Sequence, residues 1–222
     1  MVTIYLVRHC EAEGNRTKIF QGTTDCDISE LGASQLEHLK KRFKDVHIDK
    51  AISSPLIRAY KTALAAVDGK GIDVIRDKDF IEMDGGFMEG KPFMEVFARR
   101  KDLADSWVNA PQNFAPEGGE SMRQVYARVS KAINKVATDP DNDRKVLLIA
   151  AHGAVIKNIM CYLIYNDIEM LNLVPWSNNT AVSLVTFDNG SFNIVYNNDF
   201  SHLPPELLPS DVTKLWKKEE KQ

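Results

Sequence analysis

The sequence has few cysteines, no long apolar run and no signal-peptide pattern. Its three cysteines, Cys10, Cys26 and Cys161, are scattered and odd in number, which fits neither a disulfide framework nor a zinc-binding spacing. No apolar run approaches the ~18 residues that a membrane-spanning helix needs. The N-terminus lacks the basic region of a secretory signal and reaches the charged Arg8 too early for one. We therefore expect a soluble, cytoplasmic protein.

The chain also has no excess of positive charge and no linker. With 28 Lys and Arg against 31 Asp and Glu, its formal net charge is −3, which argues against a nucleic-acid-binding surface. No Pro/Gly/Ser-rich break or repeat divides the 222 residues, and 44% of them are hydrophobic, enough for a sizeable core. We predict one domain over residues 1–222, with no nucleic-acid or membrane partner, and leave the oligomeric state open.

Two apolar runs lead into a histidine. Residues 4–7 (Ile-Tyr-Leu-Val) run directly into Arg8 and His9, and residues 146–151 (Val-Leu-Leu-Ile-Ala-Ala) run into His152. Continuous runs of this kind are typical of parallel strands that are covered on both faces. Ligands of open α/β sheets bind just beyond the carboxyl ends of such strands. The two imidazoles are therefore predicted to meet in one crevice.

Helix and strand patterns alternate along the rest of the chain. Ser29 is a suitable N-cap for a helix through Phe43, and residues 120–137 carry an apolar face with a 3.6-residue period. An Asn-Gly pair at 189–190 predicts a hairpin turn. Further strands are predicted at 49–53, 71–76, 181–187 and 192–196, and further helices from the Ser-Pro pair at 54–55 and over 154–165. These elements predict a three-layer α/β/α sandwich with a mostly parallel sheet.

Two long connections are predicted to lie near the ligand. Residues 10–28 are polar and contain several Gly, Thr and Asp residues, so we interpret them as a binding loop. In about residues 91–115, aromatic side chains such as Phe93 and Trp107 stand among charges, which indicates short helices. Those helices form either a small cap over the site or ordinary core beneath a long connection, and the pattern leaves both open.

Basic side chains at predicted element ends indicate a phosphate site. Arg8, His9 and His152 follow strands, and Arg58 falls in the first turn of a predicted helix, where free N–H groups favour anions. Guanidinium groups match phosphate oxygens in bidentate geometry, and a neutral imidazole can attack phosphorus. A carboxylic acid such as Glu82 can protonate the leaving alkoxide and then activate water. These residue types predict phosphoryl transfer through a phosphohistidine.

Several short motifs occur in a fixed order along the chain. Residues 6–11 contain Arg-His, residues 53–59 read Ser-Ser-Pro-Leu-Ile-Arg-Ala, and residues 151–153 read Ala-His-Gly. Between them, Glu82 is followed by Gly86 and Glu89-Gly90, and residues 116–121 read Pro-Glu-Gly-Gly-Glu-Ser. Over most of its length the sequence therefore resembles the histidine phosphatase superfamily, the phosphoglycerate-mutase-like group, and its phosphatase branch in particular.

The resemblance implies an activity and a role for each matching residue. It implies a metal-independent phosphomonoester hydrolase that needs no cofactor and acts on a small phosphorylated metabolite. His9 is then the phospho-acceptor and Glu82 the acid and base. The resemblance implies Arg8, Arg58 and His152 for the phosphate pocket, and Asn15, Gln21, Gly22 and Gly153 for substrate contacts.

Two alternatives stay open beside the phosphatase. A mutase returns the phosphoryl group to product, but mutases of this type carry a longer insertion before the Gly-Glu-Ser turn than residues 91–115, which favours the phosphatase. The other alternative rests on Cys10, which replaces the glycine of the family motif. A Cβ beside His9 clashes if the backbone there needs a positive φ, so a degenerate phosphate-binding or regulatory protein is also considered.

Residues 9–16 also spell the His-Cys-x5-Arg pattern of cysteine-dependent phosphatases. Such enzymes hold phosphate in a loop of backbone N–H groups, where Glu11 and Glu13 would introduce two like charges. The pattern also leaves Arg58, Glu82 and His152 without a role. We interpret it as a coincidence.

Overall fold

The computed structural model describes residues 1–208, and its strands form one mixed sheet. The strands are β1 (Val2–Arg8), β2 (Lys50–Ser53), β3 (Val74–Arg76), β4 (Val146–Ala151), β5 (Val182–Asp188) and β6 (Ser191–Asp199). Their order across the sheet is β3-β2-β4-β1-β5-β6. The first four run parallel, whereas β5 pairs antiparallel with both β1 and β6. The predicted, mostly parallel sheet is confirmed.

Helices cover both faces of this sheet. They are α1 (Glu13–Thr17), α2 (Glu30–Phe43), α3 (Ile57–Ala66), α4 (Phe93–Arg99), α5 (Lys101–Asn109), α6 (Met122–Thr138) and α7 (Gly153–Tyr165). Along β1, Ile4 and Leu6 enter the apolar cluster formed with α6 and α7, while Val7 enters the cluster formed with α2 and α3. Because side chains alternate along a strand, both faces are buried and the three-layer sandwich follows. Within residues 1–208, no helix is both long and apolar enough to cross a membrane.

Local sequence signals explain three of the predicted boundaries. Ser29 caps α2 by accepting a hydrogen bond from an amide of the first turn, at 3.0 Å. Ser121 and Gln124 form a reciprocal capping box at the start of α6. Between β5 and β6, Asn189 and Gly190 have φ angles of 49° and 79°, the two positive values that a type I′ hairpin turn requires.

Two predicted boundaries and one predicted loop need correction. α3 begins at Ile57 rather than at the Ser-Pro pair, although Arg58 still lies in its first turn. β3 spans only the last three residues of the predicted 71–76 strand, because Gly69 and Gly71 adopt positive φ angles in the turn that follows α3. The polar loop over 10–28 contains α1, a helix too short to show a hydrophobic period.

The segment over 91–115 packs its aromatic side chains into one cluster. It forms α4, α5 and a 3₁₀ turn, in agreement with the short helices that its pattern indicates. Trp107 lies at its centre, with ring centroids 4.7 Å from Phe114, 5.7 Å from Phe93 and 4.8 Å from Trp176. Phe20, from the polar loop, joins the same cluster. The segment is therefore attached both to the core and to the loop that precedes α2.

Candidate active site

β1 and β4 bring the two predicted imidazoles together. The strands lie side by side in parallel, with Arg8 opposite Ala151, so the next residues emerge at the same edge of the sheet. The rings of His9 and His152 have centroids 5.0 Å apart and are tilted by 56°. The amide of His9 donates to the carbonyl of Ala151 at 2.9 Å, which ties the two strand ends to each other.

His9 is held in one orientation and one tautomer. Its Nδ1 lies 2.6 Å from the carbonyl oxygen of Cys10, which can only accept, so Nδ1 carries the proton. Burial, together with the nearby positive charges of Arg58 and Arg8, holds the pKa of His9 well below its usual value. The ring is therefore neutral at neutral pH. Its Nε2 lone pair is available for attack on an electrophile.

His152 is positioned by a serine of the 53–59 motif. Its Nε2 lies 2.7 Å from Oγ of Ser54, which also accepts a hydrogen bond from the amide of Leu56 at 3.3 Å. The Ser54 hydroxyl can thus donate its own proton to Nε2, and in that tautomer Nδ1 of His152 is a donor. Burial is the main cause that lowers the pKa of His152 well below the usual value, followed by the charge of Arg58.

Two arginines line the same edge and are anchored through their terminal nitrogens. Arg58 is fully buried and donates to the carbonyls of Thr24 at 3.0 Å and Gly22 at 2.8 Å. Arg8 donates to the carbonyl of Ser177. Burial lowers the pKa of Arg8 to about 10 and also lowers the pKa of Arg58, yet both stay charged at neutral pH. The pocket is therefore cationic in an otherwise mildly acidic chain.

Three buried donors in this pocket have no partner among the residues that the structure describes. Within residues 1–208, the buried side-chain atoms without a hydrogen-bond partner include Nε of Arg8, Nε of Arg58 and Nδ1 of His152. A buried polar group left unpaired costs ~1–3 kcal/mol, and more when it is charged, so such groups cluster where a ligand completes them. A ligand with several anionic oxygens, such as a phosphoryl group, fits these donors.

Glu82 stands beside the pocket with its carboxyl group partly hydrogen-bonded. Oε1 accepts from the amide of Met83 at 2.9 Å, and Oε2 accepts from the amide of Ala154, in the first turn of α7, at 3.2 Å. Burial raises the pKa of Glu82 above its usual value, against the opposing effect of these bonds and of Arg58 and Arg8. A carboxyl group with a raised pKa holds its proton closer to neutral pH, as a general acid must.

The chain matches a protein-family model over most of its length. The model described as the histidine phosphatase superfamily (branch 1) matches residues 4–199, nearly all of the chain that the structure describes. The chain belongs to the histidine phosphatase superfamily. The family that the sequence motifs resemble is thereby confirmed.

Individual relatives point to the phosphatases of this superfamily. Phosphoserine phosphatase 1 of Hydrogenobacter thermophilus is 31% identical over 196 residues, which cover 88% of this chain and 87% of that protein. The "Probable phosphoglycerate mutase GpmB" of Erwinia tasmaniensis is 30% identical over 153 residues, 69% of this chain and 70% of that protein. A solved structure described as Bacillus stearothermophilus YhfR matches with a TM-score of 0.85 at 28% identity, covering 91% of this chain and 99% of the other. These matches identify a phosphatase of the superfamily, with the mutases more distant.

Cys10 replaces the glycine of the superfamily's Arg-His-Gly motif without straining the backbone. Its φ angle is not positive, and its amide donates to Oγ1 of Thr62 at 3.0 Å. The thiol enters the apolar cluster between the sheet, α2 and α3, next to Gly32. Burial raises the pKa of this thiol to about 12, so it is not a thiolate at neutral pH. These contacts remove the steric objection to Cys10 and argue against a cysteine nucleophile.

The substrate-contact residues that the superfamily motifs imply differ from one another in the contacts that they make. Oδ1 of Asn15 accepts from the amide of Ala12 at 3.0 Å and so caps α1. Gln21 packs on Gly14, where a Cβ would lie 1.4 Å from its Nε2, and its Oε1 is buried without a partner within residues 1–208. Gly153 starts α7, and a Cβ there meets only ordinary contacts at 3.6 Å. Asn15 thus stabilises the start of α1, Gly153 shows no close approach that requires a glycine, and Gln21 retains a free polar atom.

Glu89 holds two loops of the site together, a role that the sequence motifs do not reveal. Its Oε1 accepts from the amides of Thr23 at 3.0 Å and Gly85 at 2.7 Å, and its Oε2 accepts from those of Gly22 at 3.2 Å and Thr24 at 3.1 Å. The carbonyls of Gly22 and Thr24 are bound by Arg58 on the opposite side. Both backbone groups of Gly22 are therefore engaged in the protein itself.

A second set of positioning contacts comes from the loop before β5. Nδ2 of Asn179 donates to the carbonyl of His9 at 2.9 Å, and the amide of Thr180 donates to the carbonyl of Arg8 at 3.1 Å. Thr180 adopts a left-handed φ of 55° to do so. No sequence pattern signals these residues. In the part of the chain described, no group of three or more His, Cys, Asp or Glu side chains is arranged to hold a metal ion.

Proposed function

We propose that this phosphatase hydrolyses phosphomonoesters in two steps through a phosphohistidine at His9. In the first step Nε2 of His9 forms a bond to phosphorus, the bond from phosphorus to the alkoxide oxygen breaks, and Glu82 gives that oxygen its proton. In the second step the Glu82 carboxylate takes a proton from water, the water oxygen bonds to phosphorus, and the N–P bond breaks. Inorganic phosphate leaves, and both side chains return to their starting state.

The other predicted site residues receive supporting roles in this proposal. The phosphoryl oxygens accept hydrogen bonds from Arg8, Arg58 and His152. These bonds become stronger in the transition state, because negative charge increases on the oxygens. Gln21 contacts the substrate through its free amide oxygen. We also propose that the substrate lies next to Asn15, Gly22 and Gly153, which belong to the loops and to the helix terminus that surround it.

The state of His9 is the observation that carries the proposal. A nucleophilic imidazole must be neutral and must direct its lone pair at phosphorus. The hydrogen bond from Nδ1 to the Cys10 carbonyl provides the tautomer, and burial beside two guanidinium groups keeps the pKa low. The adjacent unpartnered donors of Arg8, Arg58 and His152 supply the charge that a phosphoryl group needs.

Further properties of the chain are proposed on the same basis. We propose a single domain in which residues 91–115 cap the site, because their aromatic cluster includes Phe20 of the polar loop over residues 10–28. The substrate is a small phosphorylated metabolite.

A cytoplasmic location is supported by three cysteines that are all free. A mutase activity is less supported, because the mutase relative matches 69% of this chain against 88% for the phosphatase.

Hydrolysis of p-nitrophenyl phosphate tests this function directly. The wild-type protein should release p-nitrophenolate, and His9→Ala should abolish the release. Cys10→Ser should keep the activity, because its thiol is buried on the far side of the strand end. His47→Ala is the matched control, since His47 is an exposed histidine that pairs with the surface residue Asp49.

Three outcomes would contradict the proposal. Full activity of His9→Ala would remove His9 as the nucleophile. Loss of activity in Cys10→Ser, with His9→Ala still active, would restore the cysteine mechanism. A wild-type protein that binds phosphate but releases no p-nitrophenolate would favour the regulatory alternative.

A further inference from the structure

An open cleft adjoins the phosphate pocket and shares Glu82 with it. Its volume is about 370 Å³, and its polar lining includes Thr23, Asp84, Gln124 and Arg128 beside Glu82. If Glu82 protonates the leaving oxygen, the alcohol part of the substrate must lie against this carboxyl group. The cleft therefore receives the leaving alcohol, and its charges decide which alcohols bind.

The cation in the cleft is already paired. Four of the five N–H groups of Arg128 are used, two toward the Glu120 carboxylate at 3.0 and 2.7 Å and two toward the carbonyls of Asp79 and Ile81 at 2.8 and 3.1 Å. The Glu120 carboxylate also neutralises its charge. A carboxylate on the substrate thus finds no free positive charge among the described residues that line the cleft.

The carboxylate of Asp84 in the cleft has an oxygen that is available to a ligand. Oδ1 of Asp84 accepts from the amide of Gly86 at 2.8 Å, whereas Oδ2 has no partner within residues 1–208. No ion pair among those residues balances the charge of Asp84. Thr23 and Gln124 add neutral polar groups. The cleft consequently carries net negative charge, while the pocket beside it is cationic.

We infer that the cleft selects monophosphates of aminoalcohols, with Oδ2 of Asp84 binding the ammonium group of the leaving alcohol. This inference rests on the proposed function, because it takes Glu82 as the proton donor. An ammonium group donates charge-assisted hydrogen bonds to a carboxylate, whereas a carboxylate on the leaving group meets a like charge. The enzyme should therefore discriminate against phosphorylated hydroxy acids.

Two substrates of similar size and opposite charge test the inference. O-phosphoethanolamine releases an alcohol with an ammonium group, and 2-phosphoglycolate releases one with a carboxylate. The kcat/KM of the wild type should be about tenfold or more higher for O-phosphoethanolamine, the effect of one hydrogen bond to a charged group. In Asp84→Asn, which keeps the acceptor for the Gly86 amide but loses the charge, the ratio should fall toward one. Partial unfolding cancels in the ratio, because both substrates meet the same preparation.

The matched control is Asp102→Asn, since Asp102 is an exposed carboxylate on α5 that pairs with Arg100. This variant should keep the wild-type ratio. The inference would be overturned by a wild-type ratio at or below one, or by an unchanged ratio in Asp84→Asn. It would also be overturned if a protein that hydrolyses p-nitrophenyl phosphate turned over neither substrate. Failure to hydrolyse p-nitrophenyl phosphate would instead overturn the proposed function itself.

Discussion

The phosphate pocket and the neighbouring cleft differ in how they are built. The pocket lies where β1 and β4 end and where α3 begins, and its side chains His9, Arg58 and His152 are buried among elements that belong to the core. The cleft is open to solvent and is formed mainly by the loop that carries Glu82, by the turn before α6, and by the start of α6 itself. The comparison indicates that the chemical step depends on the rigid sheet, while recognition of the alcohol depends on loops that can vary without disturbing it.

The largest expected loss of rate is at Glu82, the residue that the phosphate pocket and the cleft share. Glu82→Gln should slow esters with basic alkoxide leaving groups by ~10²–10⁴-fold, because they need a proton from this residue. p-Nitrophenolate leaves without a proton, so its burst phase should be much less affected. Pre-steady-state kinetics on an alkyl phosphate and on p-nitrophenyl phosphate provide the measurement. An equal loss for both would make Glu82 a positioning residue.

Arg58 should matter in the pocket for every substrate. Arg58→Ala removes a charge-assisted contact to the phosphoryl group and should cost ~1.5–3 kcal/mol in both phosphate binding and catalysis. Inhibition by inorganic phosphate measures the binding part, and Arg58→Lys should recover some of it because the charge returns. Arg144→Ala, at an arginine whose side chain is 89% exposed, is the control. An unchanged inhibition constant in Arg58→Ala would place Arg58 outside the pocket.

Glu89 connects the two regions, so its loss should affect both by a smaller amount. Glu89→Gln keeps one acceptor oxygen but loses the charge that binds four backbone amides. We expect kcat/KM to fall by about tenfold for both kinds of leaving group, the effect of about one charged hydrogen bond. Glu95→Gln on the exposed side of α4 is the control. A loss confined to alkyl phosphates would mean that Glu89 acts only on the Glu82 loop.

The smallest effect is expected at Cys10. Cys10→Gly restores the residue of the family motif and should leave activity equal or slightly higher, because the thiol does not face the pocket. Stability should decrease by ~1 kcal/mol, since a buried side chain is lost and glycine gains freedom in the unfolded chain. Thermal unfolding and steady-state kinetics measure the two quantities. A large loss of activity would give the thiol a role that these contacts do not explain.

The sequence predicts the pocket better than the cleft for a physical reason. Arg8, His9 and His152 follow uninterrupted apolar runs, so their place at one sheet edge follows from strand pairing alone. Ser54 belongs to a recognisable motif, but its bond to His152 depends on which strands are neighbours. The roles of Asn179 and Glu89 arise from contacts between loops distant in sequence, for which no periodicity exists. Asp84 lines the cleft beside residues of α6 that lie far from it in the sequence.

The phosphorylated enzyme itself tests the central claim most directly. The protein should be mixed with ³²P-labelled substrate, quenched within the first turnover, and digested so that the labelled peptide can be sequenced. We predict a phospho-adduct at His9 that is stable in base and labile in acid, and none in His9→Ala. Label on Cys10, or turnover by the wild type without any labelled protein, would contradict the account.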